Sequence, residues 1–211
     1  GHSIRFDHCI IATGSRPVVP SQFSVSKAVI MDSTEALKLT SIPKKLLIVG
    51  GGYIGLEMGT VYSGLGSTVT LVEIKDGLLP DVDRDLVRPL QNKLSSEFES
   101  IYLDTAVVSI RELGGLGYVT MASSKESKEE KFDRVLMSVG RRPNTDKIRL
   151  ENTKVQLDSN GFVKVDFKGQ TSDPAILAIG DISGEPMLAH KASYEARIAI
   201  DGLKGKKMTS S

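Results

Sequence analysis

A single cysteine among 211 residues, Cys9, excludes an intrachain disulfide. It lies within the apolar run Cys9-Ile10-Ile11-Ala12, where a thiol is ordinarily inert packing. Histidine is nearly as scarce, and His2, His8 and His190 show no metal-ligand spacing, so no metal site is expected. An excess of one charge is missing too. Lys and Arg number 27 against 26 Asp and Glu, a net +1, which offers no electrostatic ground for nucleic acid or an anionic membrane as partner. No stretch approaches the roughly 20 apolar residues of a membrane span, and no charged start followed by an apolar core marks a signal peptide. The expectation is a protein of the cytoplasm, or of the mitochondrial matrix if eukaryotic, with Gly1-His2-Ser3 as an expression remnant. At 40% hydrophobic content the chain can bury a core and hold one or two domains.

What is present centres on one glycine turn. The apolar residues 46–49 run into Gly50-Gly51-Gly52-Tyr53-Ile54-Gly55, and Glu73 follows Gly52 by 21 positions at the end of a second apolar run. Strand, glycine turn, helix, strand and acid together make a dinucleotide-binding fingerprint. A pyrophosphate is favoured at a helix N-terminus, where unpaired N–H groups and the helix dipole point at it. Gly50 permits the tight turn, Gly52 removes a side chain that would meet phosphate, and Gly55 lets helix approach strand. The spacing predicts a helix over 53–65 with Ile54, Met58, Val61 and Leu65 as its apolar stripe, stopped by Gly64 to Gly66. Glu73 would accept hydrogen bonds from the adenosine ribose hydroxyls and repel a 2′-phosphate, and no Arg follows within the next few residues. NAD(H) is therefore expected over NADP(H).

Around this unit the reading is an α/β fold with a central parallel sheet, flanking helices and a three-stranded antiparallel meander. Residues 6–13 and 175–179 read as strands, 18–26 as an irregular connector, and Asp32-Ser33-Thr34-Glu35 as a capped helix start. Residues 83–98 are amphipathic, with Leu86, Val87, Leu90, Leu94 and Phe98 on one side. Pro89 within them predicts a kink or early break. A third parallel strand is expected at 101–103, and the meander at 106–110, 117–122 and 132–139. Residues 123–131, with three Lys and three Glu, read as a solvated hairpin tip, 161–165 as a short strand, and 190–203 as a final helix.

Three further motifs carry a resemblance: Ile11-Ala12-Thr13-Gly14-Ser15-Arg16-Pro17, Ser138-Val139-Gly140-Arg141-Arg142-Pro143-Asn144, and Ile179-Gly180-Asp181-Ile182 leading to Pro186-Met187-Leu188-Ala189-His190-Lys191. With the glycine turn, and in this order, they make the chain resemble the flavoprotein disulfide reductases. The helix Gly55-Leu56-Glu57-Met58-Gly59-Thr60-Val61-Tyr62 is most like that of the dihydrolipoamide-oxidising members. The resemblance implies a Rossmann-like FAD/NAD(P)-binding fold in which an NAD domain, about 41–170, is inserted between FAD-domain pieces at 1–40 and 171–211. Such enzymes pass electrons from protein-bound dihydrolipoamide through a disulfide and FAD to NAD+. Their partners are the lipoyl domains of a 2-oxo acid dehydrogenase complex and a second subunit. The dithiol and the His-Glu acid-base pair have no counterpart in these residues, so no catalytic residue is expected and the chain alone should not turn over lipoamide.

The resemblance also implies roles residue by residue. Val107 would touch adenine, although a strand Val in a core reads equally well. Gly140 would approach the nicotinamide, compatible with a turn glycine at positive φ. Tyr53 resembles a position over the nicotinamide pocket, or a partly buried helix aromatic. Glu57 resembles a carboxylate that pairs with a lysine near the flavin, or an ordinary exposed helix Glu. Thr13, Gly14, Ser15, Asp181, Met187, Leu188, Ala189 and His190 would line FAD, with Asp181 on the ribityl chain. Two other readings stay open: another flavoprotein reductase, or a free-standing NAD-binding module without catalysis.

Overall fold

The computed structural model describes residues 2–23 and 28–205. Gly1, part of the expected connector (24–26) and the final residues 206–211 lie outside them. Along the chain run β1 (Cys9–Ile11), β2 (Ser15–Pro17), β3 (Ile30–Asp32), α1 (Ser33–Ala36), β4 (Lys45–Val49), α2 (Tyr53–Gly64), β5 (Thr68–Val72) and α3 (Arg84–Glu97). Then come β6 (Ser100–Tyr102), β7 (Ala106–Leu113), β8 (Leu116–Ala122), β9 (Ser127–Phe132), β10 (Arg134–Met137), β11 (Arg141–Pro143), β12 (Ile176–Ala178) and α4 (Ala189–Leu203). They fall into two compact units, one of Pro17–Gly140 and one drawn from the chain up to Arg16 and from Arg141 onward. These bounds differ from the expected 41–170. Residues 30–32 form β3, which pairs with β10 and so belongs to the larger unit's sheet. Leu150 and Val163 bury against Ala178 and Ile182, which ties 141–170 to the other unit.

The larger unit holds a five-stranded sheet in the order β3-β10-β4-β5-β6, parallel throughout. Successive residues of β4 serve opposite faces. Leu46 and Ile48 pack with Leu56, Tyr62, Leu94 and Phe98 of the helical layer, whereas Leu47 and Val49 pack with Ile110, Val119, Met121 and Phe132 of an antiparallel sheet β7-β8-β9. A parallel sheet covered on both faces explains why β4 and β5 read as continuous apolar runs.

Several expectations change. The buried stripe of α2 is Gly55, Leu56, Gly59 and Tyr62, while Val61 and Leu65 are exposed. Glycine scores as neutral in an apolar pattern, yet here it forms the contact: a Cβ on Gly59 would stand 2.5 Å from Phe98 and 2.9 Å from Ile48. Pro89 does not end α3, which continues to Glu97; the proline is exposed, one backbone bond is lost, and buried Val87 and Leu94 hold the helix in place. Leu86, assigned to the apolar side, is exposed. The third meander strand is β9, and β10 instead enters the parallel sheet between β3 and β4. The charged stretch is thus a strand, with Lys128, Glu130 and Phe132 on its less exposed face. Three of its charges are paired: Glu129 with Arg111 at 2.6 Å, and Lys128 with Glu130 at 2.6 Å, with Lys128 Nζ 3.4 Å above the Tyr102 ring. Residues 161–165 form no strand, only an isolated bridge from Val163 to Leu157.

The helix start at Asp32 is as expected, its carboxylate accepting from Glu35 N–H in a reciprocal capping box. The carbonyl of Ala36 in α1 accepts from the Tyr62 hydroxyl at 2.8 Å. Burial pushes that hydroxyl's pKa up, with Arg134 opposing. Because Ala36 O also accepts from Leu39 N–H, Tyr62→Phe removes one bond without stranding its partner. Urea unfolding should show a loss of about 1 kcal/mol; a loss above ~3 kcal/mol would mean the hydroxyl does more than this bond.

In the smaller unit β1 pairs in parallel with β12, a partnership the two apolar runs at 6–13 and 175–179 left open, and β2 pairs with β11. Asp158 closes the turn before Gly161, its Oδ1 accepting from Asn160 and Phe162 N–H. No helix among the described residues is long and apolar enough to cross a membrane.

Candidate dinucleotide site

The C-terminal ends of β4, β5 and β10 meet at one edge of the parallel sheet. From β4 the chain goes to β5 on one side, while β10 lies on the other, so the glycine turn sits at a switch in strand order, where open α/β sheets bind ligands. Gly50 leaves β4 with φ 109, a conformation that L side chains rarely adopt, and its N–H donates to Val72 O at 2.9 Å. Ser138, one residue past β10, donates its hydroxyl toward the carbonyls of Val49 and Gly50 at 2.9 and 3.1 Å. The turn is therefore held from both neighbouring strands.

The three fingerprint glycines differ in surroundings. A Cβ on Gly55 would stand 2.1 Å from Gly50 O and 2.7 Å from Ser138 Oγ, so only glycine lets α2 approach the turn. A Cβ on Gly52 would meet nothing within 4 Å. Gly52 is the N-cap of α2 and supplies no side-chain cap, so the first turn's donors and the positive end of the dipole face that open space. This is the arrangement a pyrophosphate requires.

Glu73 follows β5 and is buried at 8% exposure. Its Oε2 accepts from Gly51 N–H at 2.6 Å and its Oε1 from Lys75 N–H at 2.8 Å. Sequence reasoning assigned it to ribose alone; the tie to Gly51 was missed, because a contact between a side chain and a backbone group 22 positions away has no sequence signature. Each carboxylate oxygen keeps a second lone pair for a ribose hydroxyl.

Of the other residues singled out in this unit, Ile54 is half-buried in the first turn of α2, while Tyr53 and Glu57 are exposed on the same helix. Val107 is half-buried on β7 against the meander-side core, two residues past Thr105, whose N–H donates to Glu73 O. Gly140 is exposed at φ 136, two residues beyond Ser138. Ser138, Leu78 and Leu79, which also frame the turn, were not assigned a role from sequence.

In the smaller unit Ser15 Oγ donates to Asp181 Oδ2 at 2.5 Å and accepts from Arg141 Nε at 2.6 Å. Thr13 exchanges two bonds with Asn144, and Gly14 has φ 66. Leu188 is the N-cap of α4; Met187 is half-buried before it, and Ala189 and His190 are exposed in its first turn. These residues share one unit, and Asp181 and Ser15 are in direct contact. Among the described residues no group of three or more metal-ligating side chains converges, and Cys9 is a half-buried free thiol.

The chain matches the family described as pyridine nucleotide-disulphide oxidoreductase over residues 1–196. The dihydrolipoyl dehydrogenase of Vibrio parahaemolyticus is 42% identical over 205 residues, covering 97% of this chain and 43% of the relative. That of Geobacillus stearothermophilus is 39% identical over 200 residues, 95% of this chain and 42% of the relative. This chain thus spans less than half the length of these relatives. Among solved structures, LpdA from Mycobacterium tuberculosis superimposes with a TM-score of 0.87 at 27% identity, covering 97% of this chain and 44% of that one. The HOCl-induced flavoprotein disulfide reductase RclA from Escherichia coli gives 0.82 at 30% identity, covering 95% and 46%.

Proposed function

Because the chain belongs to the pyridine nucleotide-disulphide oxidoreductase family, we propose that it is the NAD(H)-binding part of a dihydrolipoyl dehydrogenase. The observation that carries this is the glycine turn with an open Gly52, an uncapped α2 and the buried Glu73 carboxylate beside it. The turn Gly50 to Gly55, shaped by Gly50 and Gly51, holds the pyrophosphate through its backbone N–H groups from Gly52 onward; Glu73 holds the adenosine ribose, Val107 the adenine, and Gly140 and Tyr53 the nicotinamide end. The whole protein oxidises protein-bound dihydrolipoamide through a redox disulfide and FAD and reduces NAD+. Its setting is the cytoplasm or mitochondrial matrix, with lipoyl domains and a second subunit as partners. FAD supplies the electron relay when bound; Thr13, Gly14, Ser15, Asp181 and Met187 to His190 hold part of it. One cysteine cannot form the dithiol, so these residues contribute binding and orientation of the nicotinamide cofactor and no lipoamide turnover.

A 2′-phosphate would bring like charge to Glu73, and desolvated like charges cost several kcal/mol. In a fluorescence titration NADH should bind at least about tenfold more tightly than NADPH, a difference of ~1.4 kcal/mol. Equal affinities would overturn the assignment of Glu73. A second reading, the corresponding part of another flavoprotein disulfide reductase, is favoured by the likeness to RclA. Dihydrolipoamide-dependent NADH formation by the full-length protein separates the two.

A further inference from the structure

The segment after Glu73 closes around the glycine turn from a second side. Gly51 has both backbone groups taken by it: its N–H donates to Glu73 Oε2 at 2.6 Å, and its carbonyl accepts from Leu79 N–H at 3.0 Å. Leu78 is fully buried, and its Cδ2 lies 2.7 Å from where a Gly51 Cβ would stand. Leu79 holds a left-handed backbone at φ 46, which a leucine keeps only when its surroundings impose it. Arg84, the first residue of α3, imposes it. Its Nη1 donates to Leu78 O at 2.8 Å, its Nη2 to Leu79 O and to Val82 O at 2.6 Å, and its Nε to Val82 O at 3.1 Å. Gly77 leaves room for the guanidinium, since a Cβ there would stand 2.6 Å from Nη1.

We propose that Arg84 is a positioning residue for NAD(H), acting through Leu79 on Gly51 without touching the dinucleotide. This rests on reading the glycine turn as the NAD(H) site. The planar guanidinium presents five donors in a fixed fork and gathers three carbonyls at once; an ammonium is a point charge that cannot reproduce the fork. When the fork is lost, Leu79 relaxes, its N–H leaves Gly51 O, and the turn spends less time with its donors converged. Apparent affinity falls by the fraction of time the site is competent. The same bonds bear on specificity. Arg84 is the first Arg after Glu73 in the chain, but four of its five donors go to carbonyls of residues 78–82, which turns it away from the role of a 2′-phosphate receptor.

The test compares the intact chain with Arg84→Lys and Gly77→Ala, the second displacing the guanidinium while keeping the arginine. NADH affinity is read by titration, and amide hydrogen exchange at Gly51 and Leu79 by NMR. Both variants should bind NADH about tenfold more weakly, with faster exchange confined to Gly51, Leu79 and their neighbours in the 77–82 loop. Unchanged exchange at Leu79 and Gly51 in both variants would overturn the proposal, as would faster exchange at unchanged NADH affinity. So would faster exchange spread over β4 and β5, which would mark general loosening. If the unsubstituted chain does not bind NADH, the reading of the turn fails and the role toward NAD(H) with it. The exchange data then still report whether Arg84 holds Gly51.

Discussion

Replacing Gly52 with alanine is expected to leave the fold almost unchanged and to remove most of the affinity for NADH. The added methyl meets nothing within 4 Å, and Gly52 already has an extended backbone at φ −78 that alanine adopts freely. Alanine is a poorer N-cap than glycine by about 0.5–1 kcal/mol. It also restricts the unfolded chain, which returns about 0.4–1 kcal/mol. The two nearly cancel, so the melting temperature should move by less than about 3 °C. The methyl occupies the space that a phosphate must enter to reach the first-turn donors of α2. A loss of at least about 30-fold in NADH affinity follows, equivalent to ~2 kcal/mol. Calorimetry and an NADH titration on the same preparation check both halves. Retained affinity would show that the pyrophosphate does not lie over Gly52.

Gly55→Ala is expected to behave in the opposite way, damaging the fold first and binding in consequence. In an isolated helix alanine would be favoured over glycine by about 1 kcal/mol. Here its Cβ would stand 2.1 Å from Gly50 O and 2.7 Å from Ser138 Oγ, far inside any van der Waals contact. The carbonyl is backbone, fixed at the end of β4, so α2 must move away from the sheet. Overpacking costs of about 3 kcal/mol outweigh the propensity gain. The melting temperature should fall by about 5–10 °C, with NADH binding lost because the helix N-terminus has shifted. A stable Gly55→Ala protein with normal affinity would mean that the close approach of α2 to the turn is not required. Together the two variants separate a glycine needed for ligand space from one needed for packing.

The fingerprint was legible because its parts are local or periodic. Four apolar residues before Gly50, a glycine turn, and an acid after the next apolar run fix strand, turn and strand with little reference to the rest of the chain. The pairing of β1 with β12 was not legible, since two apolar runs that both need burial do not say what each is buried against. The site's internal wiring was not legible. Glu73 and Leu79 reach Gly51 across 22 and 28 positions, the first by its carboxylate and the second by its N–H, and both meet Gly51 at backbone groups that almost every residue carries. Nor was the buried face of α2, since its contacts are made by Gly55 and Gly59, where the absence of a side chain lets the helix in.

Composition and order of residues by themselves determined that this is an α/β chain with a glycine turn between two strands followed by an acid, and that one cysteine leaves no intrachain disulfide. Tertiary structure decided which strand joins which sheet. The residues of β10 and β9 are adjacent in the chain, yet β10 enters the parallel sheet beside β4 while β9 closes the meander, a choice set by which face each can bury. It also decided the state of the turn: Glu73, Leu79 and Ser138 hold Gly50 and Gly51 in place. Hydrophobic periodicity is written along the chain and can be read there, whereas hydrogen bonds between distant backbone groups exist only once the sheet has brought them together.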